Sequence, residues 1–204
     1  MALLVSGNTA KENWTNSYHK TNFYYLKGIV EQLLKRLNLN EIKQNPIYLS
    51  NFSDAISLKL NGKELGIMGI VDKNILKKAD VAQEVFYAEF DWELITEIAS
   101  KQQMKYKEIS KFPFVKRDLA LLLDKKVSYA ELHDSTLALN LNLLKSVQLF
   151  DVYEGEKLPE GKKSYALSFV LQNEEKTLSE SEIENTMNEL IRNFQQKFNA
   201  ELRN

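Results

Sequence analysis

The chain has 204 residues, 27 Lys+Arg against 28 Asp+Glu, a formal net charge of -1 and no cysteine. That length holds one large domain or two small ones of ~100–200 residues each, and 44% hydrophobic with 27% charged residues excludes wholesale disorder. The missing cysteine removes disulfides, thiolate zinc sites and cysteine nucleophiles together, and the near-neutral charge argues against a nonspecific nucleic-acid coat.

Ala2–Val5 reads as a short strand, stopped by Ser6-Gly7-Asn8. Thr21 and Asn22 offer N-caps to a helix in which Phe23, Leu26, Val30, Leu33, Leu34 and Leu37 recur at helical spacing. Gly28 inside that helix costs up to ~1 kcal/mol against Ala, so a close neighbour is expected there. Pro46 opens a strand through Leu49, and Ala55–Leu60 alternates as another. Asn61-Gly62 is a hairpin signal whose partner strand runs from Glu64 to Val71. Lys73–Lys78 is a short helix, Val85–Asp91 a strand, and Asp91 a strand-to-helix cap. This order predicts an antiparallel sheet with a flanking helix rather than a parallel βαβ sheet.

Residues 101–111 are polar and without apolar period, which places a domain boundary between 1–104 and 105–204. Arg117–Leu123 is then a buried strand, and Ser128 caps a helix running to about Leu139. Leu144–Tyr153 and Ser164–Leu171 alternate as strands. Ser179 and Glu182 form a capping box, Leu178 staples to Ile183, and an apolar stripe continues through Phe198. Ala200–Arg203 is short enough for an edge strand. The second half therefore reads β-α-β-β-α-β, the ferredoxin-like arrangement, and the chain as a whole is α+β. In this half the charges also separate, with Lys105 to Lys126 predominantly basic and Glu174 to Glu189 acidic. Two solvated faces of opposite sign and a working basic surface are both open readings.

The motifs for catalysis are absent. The glycines at 7, 28, 62, 66, 69, 155 and 161 make neither GxGxxG nor the Walker spacing. His19 and His133 lack a carboxylate or nucleophile at motif spacing. No apolar run reaches the ~18–20 residues of a membrane helix, and no basic-then-apolar leader opens the chain, so no membrane partner is expected and the location expected is cytoplasmic. One stretch has the composition of a recognition surface. Phe150-Asp151-Val152-Tyr153-Glu154-Gly155 ends one strand, and Gly161-Lys162-Lys163-Ser164-Tyr165 begins the next. Alternation puts Asp151 and Tyr153 on one face, and the loop returns Lys162, Lys163 and Ser164 toward the same end. An aromatic to stack a base, a carboxylate to accept from it and lysines for phosphates suit unstacked RNA. The plainer reading is an ordinary hairpin with an aromatic cross-strand pair.

The runs Phe112-Pro113-Phe114-Val115-Lys116-Arg117-Asp118-Leu119, Leu149 to Gly155, Leu158 to Ser164, Thr177-Leu178-Ser179 and Ala200-Glu201-Leu202-Arg203 resemble, in order and spacing, the anticodon-binding domain of bacterial phenylalanyl-tRNA synthetase beta subunits. Leu3 to Asn8, Trp14, Thr21 to Gly28 and Leu65-Gly66-Ile67-Met68-Gly69 resemble the region just upstream in that family, a class II synthetase-like fold without its catalytic residues. The resemblance implies a C-terminal piece of a much longer subunit, with tRNA(Phe) and the synthetase alpha subunit as partners in an assembly of two alpha and two beta chains. It implies no cofactor in this stretch, ATP and Mg serving the whole enzyme at the alpha subunit, and no catalysis by this stretch alone. It further implies that Asp151 accepts from guanine, the first anticodon base, that Tyr153 stacks it, and that Ser164 bonds base or sugar. Lys162, Lys163 and Arg117 are then expected on phosphates. A competing reading of a different class is a regulatory ferredoxin-like module that binds a small ligand or dimerises through its sheet.

Overall fold

The computed structural model describes residues 1–10, 14, 19–40, 42–102 and 108–203. They fall into two compact units, Met1–Tyr106 and Lys107–Asn204. The boundary expected at 104/105 lies outside the described residues.

The first unit holds β1 (Ala2–Ser6), α1 (Phe23–Arg36), β2 (Lys43–Ile47), β3 (Phe52–Leu60), β4 (Lys63–Val71), α2 (Lys73–Lys78), β5 (Val85–Phe90) and α3 (Trp92–Ser100). Its strands form one antiparallel sheet in the order β1-β5-β4-β3-β2. Asn22 caps α1, its Oδ1 accepting from the Tyr25 N–H at 2.9 Å, whereas the Thr21 hydroxyl turns back to donate to the Gly7 carbonyl. The helix sets Leu26, Val30 and Leu34 against Leu58, Met68, Phe86 and Phe90 of the sheet, and Ile95 of α3 closes the same core. Each such side chain contributes roughly 1.5–3 kcal/mol on full burial. Asn61 and Gly62 take φ of 49° and 80°, the left-handed pair that a two-residue hairpin between β3 and β4 requires.

Two expectations change. The strand expected from Pro46 to Leu49 instead spans Lys43–Ile47, with Pro46 opposite Ile56. It is an outer strand, and there a proline does not interrupt a ladder on both sides, so it need not mark a strand's beginning. Gly28 is the second correction. Apart from its chain neighbours and the backbone of its own helix, no atom of the described residues lies within 4 Å of where its Cβ would stand, so no close packing against the rest of this unit requires a glycine.

The second unit holds β6 (Val115–Asp124), α4 (Tyr129–Leu137), β7 (Leu144–Tyr153), β8 (Lys162–Leu171), α5 (Glu180–Phe198) and β9 (Glu201–Leu202). The strand order β7-β8-β6-β9, antiparallel throughout, is the ferredoxin-like sheet. Leu121, Leu123, Tyr165, Leu167 and Phe169 meet Leu132 of α4 and Ile183, Leu190 and Phe194 of α5 in one core. Both helices start on complete capping boxes, Ser128 with Glu131 and Ser179 with Glu182. A 2.7 Å bond from Lys176, then the N–H and hydroxyl of Ser179, hold the Glu182 carboxyl down at about 2.

Two outcomes are expected. Replacing Gly28 by Ala should stabilise the protein by about 0.5–1 kcal/mol, read as a higher urea midpoint at unchanged slope. Glu182 has a folded pKa below its unfolded one, so its stabilisation is complete above the ordinary carboxylate pKa. It is lost as pH falls from there through about 2. Glu182→Gln should accordingly flatten the fall in melting temperature across that window.

Candidate nucleic-acid interface

The second sheet has two unlike faces. In β6 and β8, residues directly opposite share a face, and Leu121↔Tyr165 and Leu119↔Leu167 point into the helix-covered core. The alternate pairs, Lys116↔Val170, Asp118↔Ser168, Ala120↔Ala166, Leu122↔Ser164 and Asp124↔Lys162, lie on the opposite face. No helix of the described residues packs there. On β7 the same face takes Gln148, opposite Ser168, then Asp151 opposite Ala166 and Tyr153 opposite Ser164.

The expected site residues therefore divide. Asp151, Tyr153, Ser164 and Lys162 share the face without helices, where the Lys162 ammonium pairs with the Asp124 carboxylate at 2.9 Å. Arg117 and Lys163 do not join them. Arg117 sits opposite Phe169 on the helix side, and its Nη2 is 3.0 Å from Glu180 in the first turn of α5. Lys163 is only 6% exposed; its Nζ donates to the Tyr165 hydroxyl at 2.7 Å and lies 4.4 Å from that ring's centre. Both residues expected on phosphates thus stand apart from Asp151, Tyr153 and Ser164, on the helix side of the sheet. The two-residue period turns both toward the helices, and adjacency to Lys162 and Ser164 in sequence means the opposite face in a strand.

Three features of this face are not legible in the sequence. A bulge between Leu149 and Asp151 leaves Phe150 as an extra residue, 57% exposed, with the Lys116 Nζ 6.0 Å from its ring centre. Arg203, just after β9, donates its N–H to the Ala120 carbonyl at 2.8 Å. Its guanidinium carbon lies 5.1 Å from the centre of the Tyr153 ring. Gly155 then receives the hydroxyl end of that ring so closely that a Cβ would collide with it. A period-two count carries no mark of a bulge. The run ending in Arg203 stands out in the sequence, but only a folded sheet shows what the arginine touches.

The face thus presents two aromatics, the carboxylates of Asp118, Asp124 and Asp151, hydroxyls, and the cations Lys116, Lys162 and Arg203 around a shallow floor that includes Ala120 and Ala166. Aromatics, hydrogen-bonding groups and cations are the kinds of group that stack on and bond to unpaired bases. His133, outside this face, packs at a tilt against Tyr129 with ring centres 5.7 Å apart. Among the described residues no group of three His, Asp or Glu side chains is arranged to hold a metal. None of their helices is long and apolar enough to cross a membrane.

Residues 110–203 match the family described as ferredoxin-fold anticodon binding domain. Residues 1–92 match the family described as phenylalanyl tRNA synthetase beta chain CLM domain. Over its whole length the chain is 44% identical to the phenylalanine–tRNA ligase beta subunit of Bacteroides fragilis and 42% identical to that of Bacteroides thetaiotaomicron, covering 25% of each. It is 34% identical over 94% of its length to the subunit of the same name from Carboxydothermus hydrogenoformans, covering 24% of it. The chain belongs to the phenylalanyl-tRNA synthetase beta-chain family, and it spans about a quarter of the length of the curated relatives it matches.

Because Tyr153 rests on Gly155, Gly155→Ala should displace the ring without disturbing the core. The expected result is a change in the Tyr153 ring-proton shifts with a nearly unchanged melting temperature.

Proposed function

We propose that residues 105–204 bind the anticodon of tRNA(Phe) on the face of the sheet that carries Asp151 and Tyr153. On this reading residues 1–104 scaffold the subunit against a synthetase alpha chain. The observation that carries the reading is the register that sets Asp151 and Tyr153 on one helix-free face, opposite Ala166 and Ser164. Guanine offers N1–H and N2–H₂ donors on its Watson–Crick edge, and the Asp151 carboxylate, exposed on the strand, is a suitable acceptor. Tyr153 stacks the splayed base, a contact worth ~1–3 kcal/mol at other stacking sites. Ser164 bonds base or sugar, while Lys162 and Lys116 serve phosphates without reading sequence.

The class II-like region contributes a surface rather than chemistry. On the outward side of α1, Tyr24 (76% exposed), Tyr25 and Ile29 flank Gly28, a run of apolar groups around a flat spot. That is the character of a helix face meant to be covered, and it supports packing against the alpha chain in an assembly of two alpha and two beta subunits. ATP, Mg and phenylalanine belong to aminoacylation by the whole cytoplasmic enzyme on its alpha subunit, and this stretch holds no cofactor.

Affinities for tRNA(Phe) and for a variant with adenine at the first anticodon position test the reading. Asp151→Ala should reduce the preference for guanine by about tenfold while the melting temperature stays put. If Asp151 only stabilises its turn, the variant will lose stability and keep its preference. Binding that is indifferent to salt would instead indicate a small-ligand module, since phosphate contacts release counterions.

A further inference from the structure

The contact between Arg203 and Tyr153 crosses the sheet. Tyr153 ends β7, one outer strand, and Arg203 follows β9, the other; β8 and β6 lie between them. At about 4.8 Å per strand, their backbones stand roughly 14 Å apart. Side chains have to reach over the sheet to close that distance, and the 5.1 Å from guanidinium carbon to ring centre shows that they do. The Arg203 N–H to the Ala120 carbonyl anchors one end, and the Gly155 backbone receives the other.

Beneath this bridge lies Ser164, opposite both Tyr153 and Leu122. It has no helix above it, yet it is 4% exposed. Ala166, the next residue on that face of β8, is smaller and remains half-buried. Ser168, farther along the same face and away from the bridge, is equally withdrawn at 3%, so low exposure is shared along this central strand and the bridge adds one cover over Ser164. Of the three groups proposed to bind a base, Asp151 is presented to solvent, while the stacking ring is occupied and the serine is roofed over.

A guanidinium is planar and delocalised, and on an aromatic ring it fills the place of a stacked base. We infer that Arg203 is a positioning residue that holds Tyr153 in register and keeps its stacking surface closed until a base displaces the guanidinium. The displaced guanidinium, still anchored beside Ala120, turns to a phosphate of the same strand. Base entry, exposure of Ser164 and a new phosphate contact are thereby one event. This rests on the anticodon-binding reading of the face.

The full chain and an anticodon stem-loop RNA with guanine as its first anticodon base test it. In the free protein, Arg203→Ala should shift the Tyr153 ring protons and raise the solvent exposure of the Ser164 hydroxyl. With RNA, Arg203→Ala should lower the slope of log affinity against log salt by about 0.7, the value for one single-strand phosphate contact. Arg203→Lys should keep that slope while still shifting the ring protons. A role confined to folding would change melting temperature and leave the two salt lines parallel, which would overturn the inference. Persistence of Arg203–Tyr153 contacts in the RNA complex would overturn it as well. Failure of the unaltered chain to bind the RNA sinks the anticodon reading and the exchange with it, whereas unmoved ring protons in the free variant sink the bridge alone.

Discussion

The second unit depends on one-sided burial of a four-stranded sheet. Two helices supply enough apolar surface to cover one face, and Leu167, Phe169 and Leu171 of the central strand β8 are fully withdrawn beneath them. Because side chains alternate strictly along a strand, that burial also fixes what the other face carries. On β8, Ser164, Ala166 and Ser168 lie on the helix-free face because Tyr165, Leu167 and Phe169 between and beside them are in the core. Lys163 and Arg117 are the counter-examples that show the rule at work. Each is cationic and each is next to an interface residue, but each was turned toward the helices and found a partner there, Lys163 at Tyr165 and Arg117 at Glu180.

Departures from regularity on the helix-free face make it a site rather than a plain polar surface. The bulge at Phe150 inserts one residue, so an aromatic stands out of the sheet while Asp151 and Tyr153 return to the alternation two places apart. Ala120 and Ala166, opposite one another at the centre, keep the floor low between the outer strands. A larger pair there would lift any planar ligand away from the backbone. Gly155 permits Tyr153 to fold back along its own chain, and β9, only two residues long, brings Arg203 within reach of it.

The first unit obeys the same physics with a different result. Its five-stranded sheet takes α1 and α3 on one side, and close approaches in β4 require glycine. A Cβ on Gly66 would strike the Glu89 carbonyl, and one on Gly69 would meet the Asp54 carbonyl and the Phe52 ring. Gly28 has no such neighbour in its own unit. Together with the exposed Tyr24, Tyr25 and Ile29, it gives α1 an outward face whose composition is unlike an ordinary solvated helix.

The elements that announce themselves by local chemistry were legible from the sequence alone. These are the Asn61-Gly62 hairpin, the two capping boxes, the apolar stripe of α5, the β-α-β-β-α-β order and the shared face of Asp151 and Tyr153. Each depends on contacts within a few residues or on a period that composition reveals. Strand limits around Pro46 were not legible, because whether a proline is tolerated depends on the strand being an outer one. Nor were the burial of Lys163, the bulge at Phe150 and the bridge from Arg203 to Tyr153, residues 50 positions apart in the chain. The sequence determined which residues alternate and where helices begin. The tertiary structure alone decided which face the helices cover and which side chains meet across it, because burial and long-range contact are properties of the packed sheet and not of any segment within it.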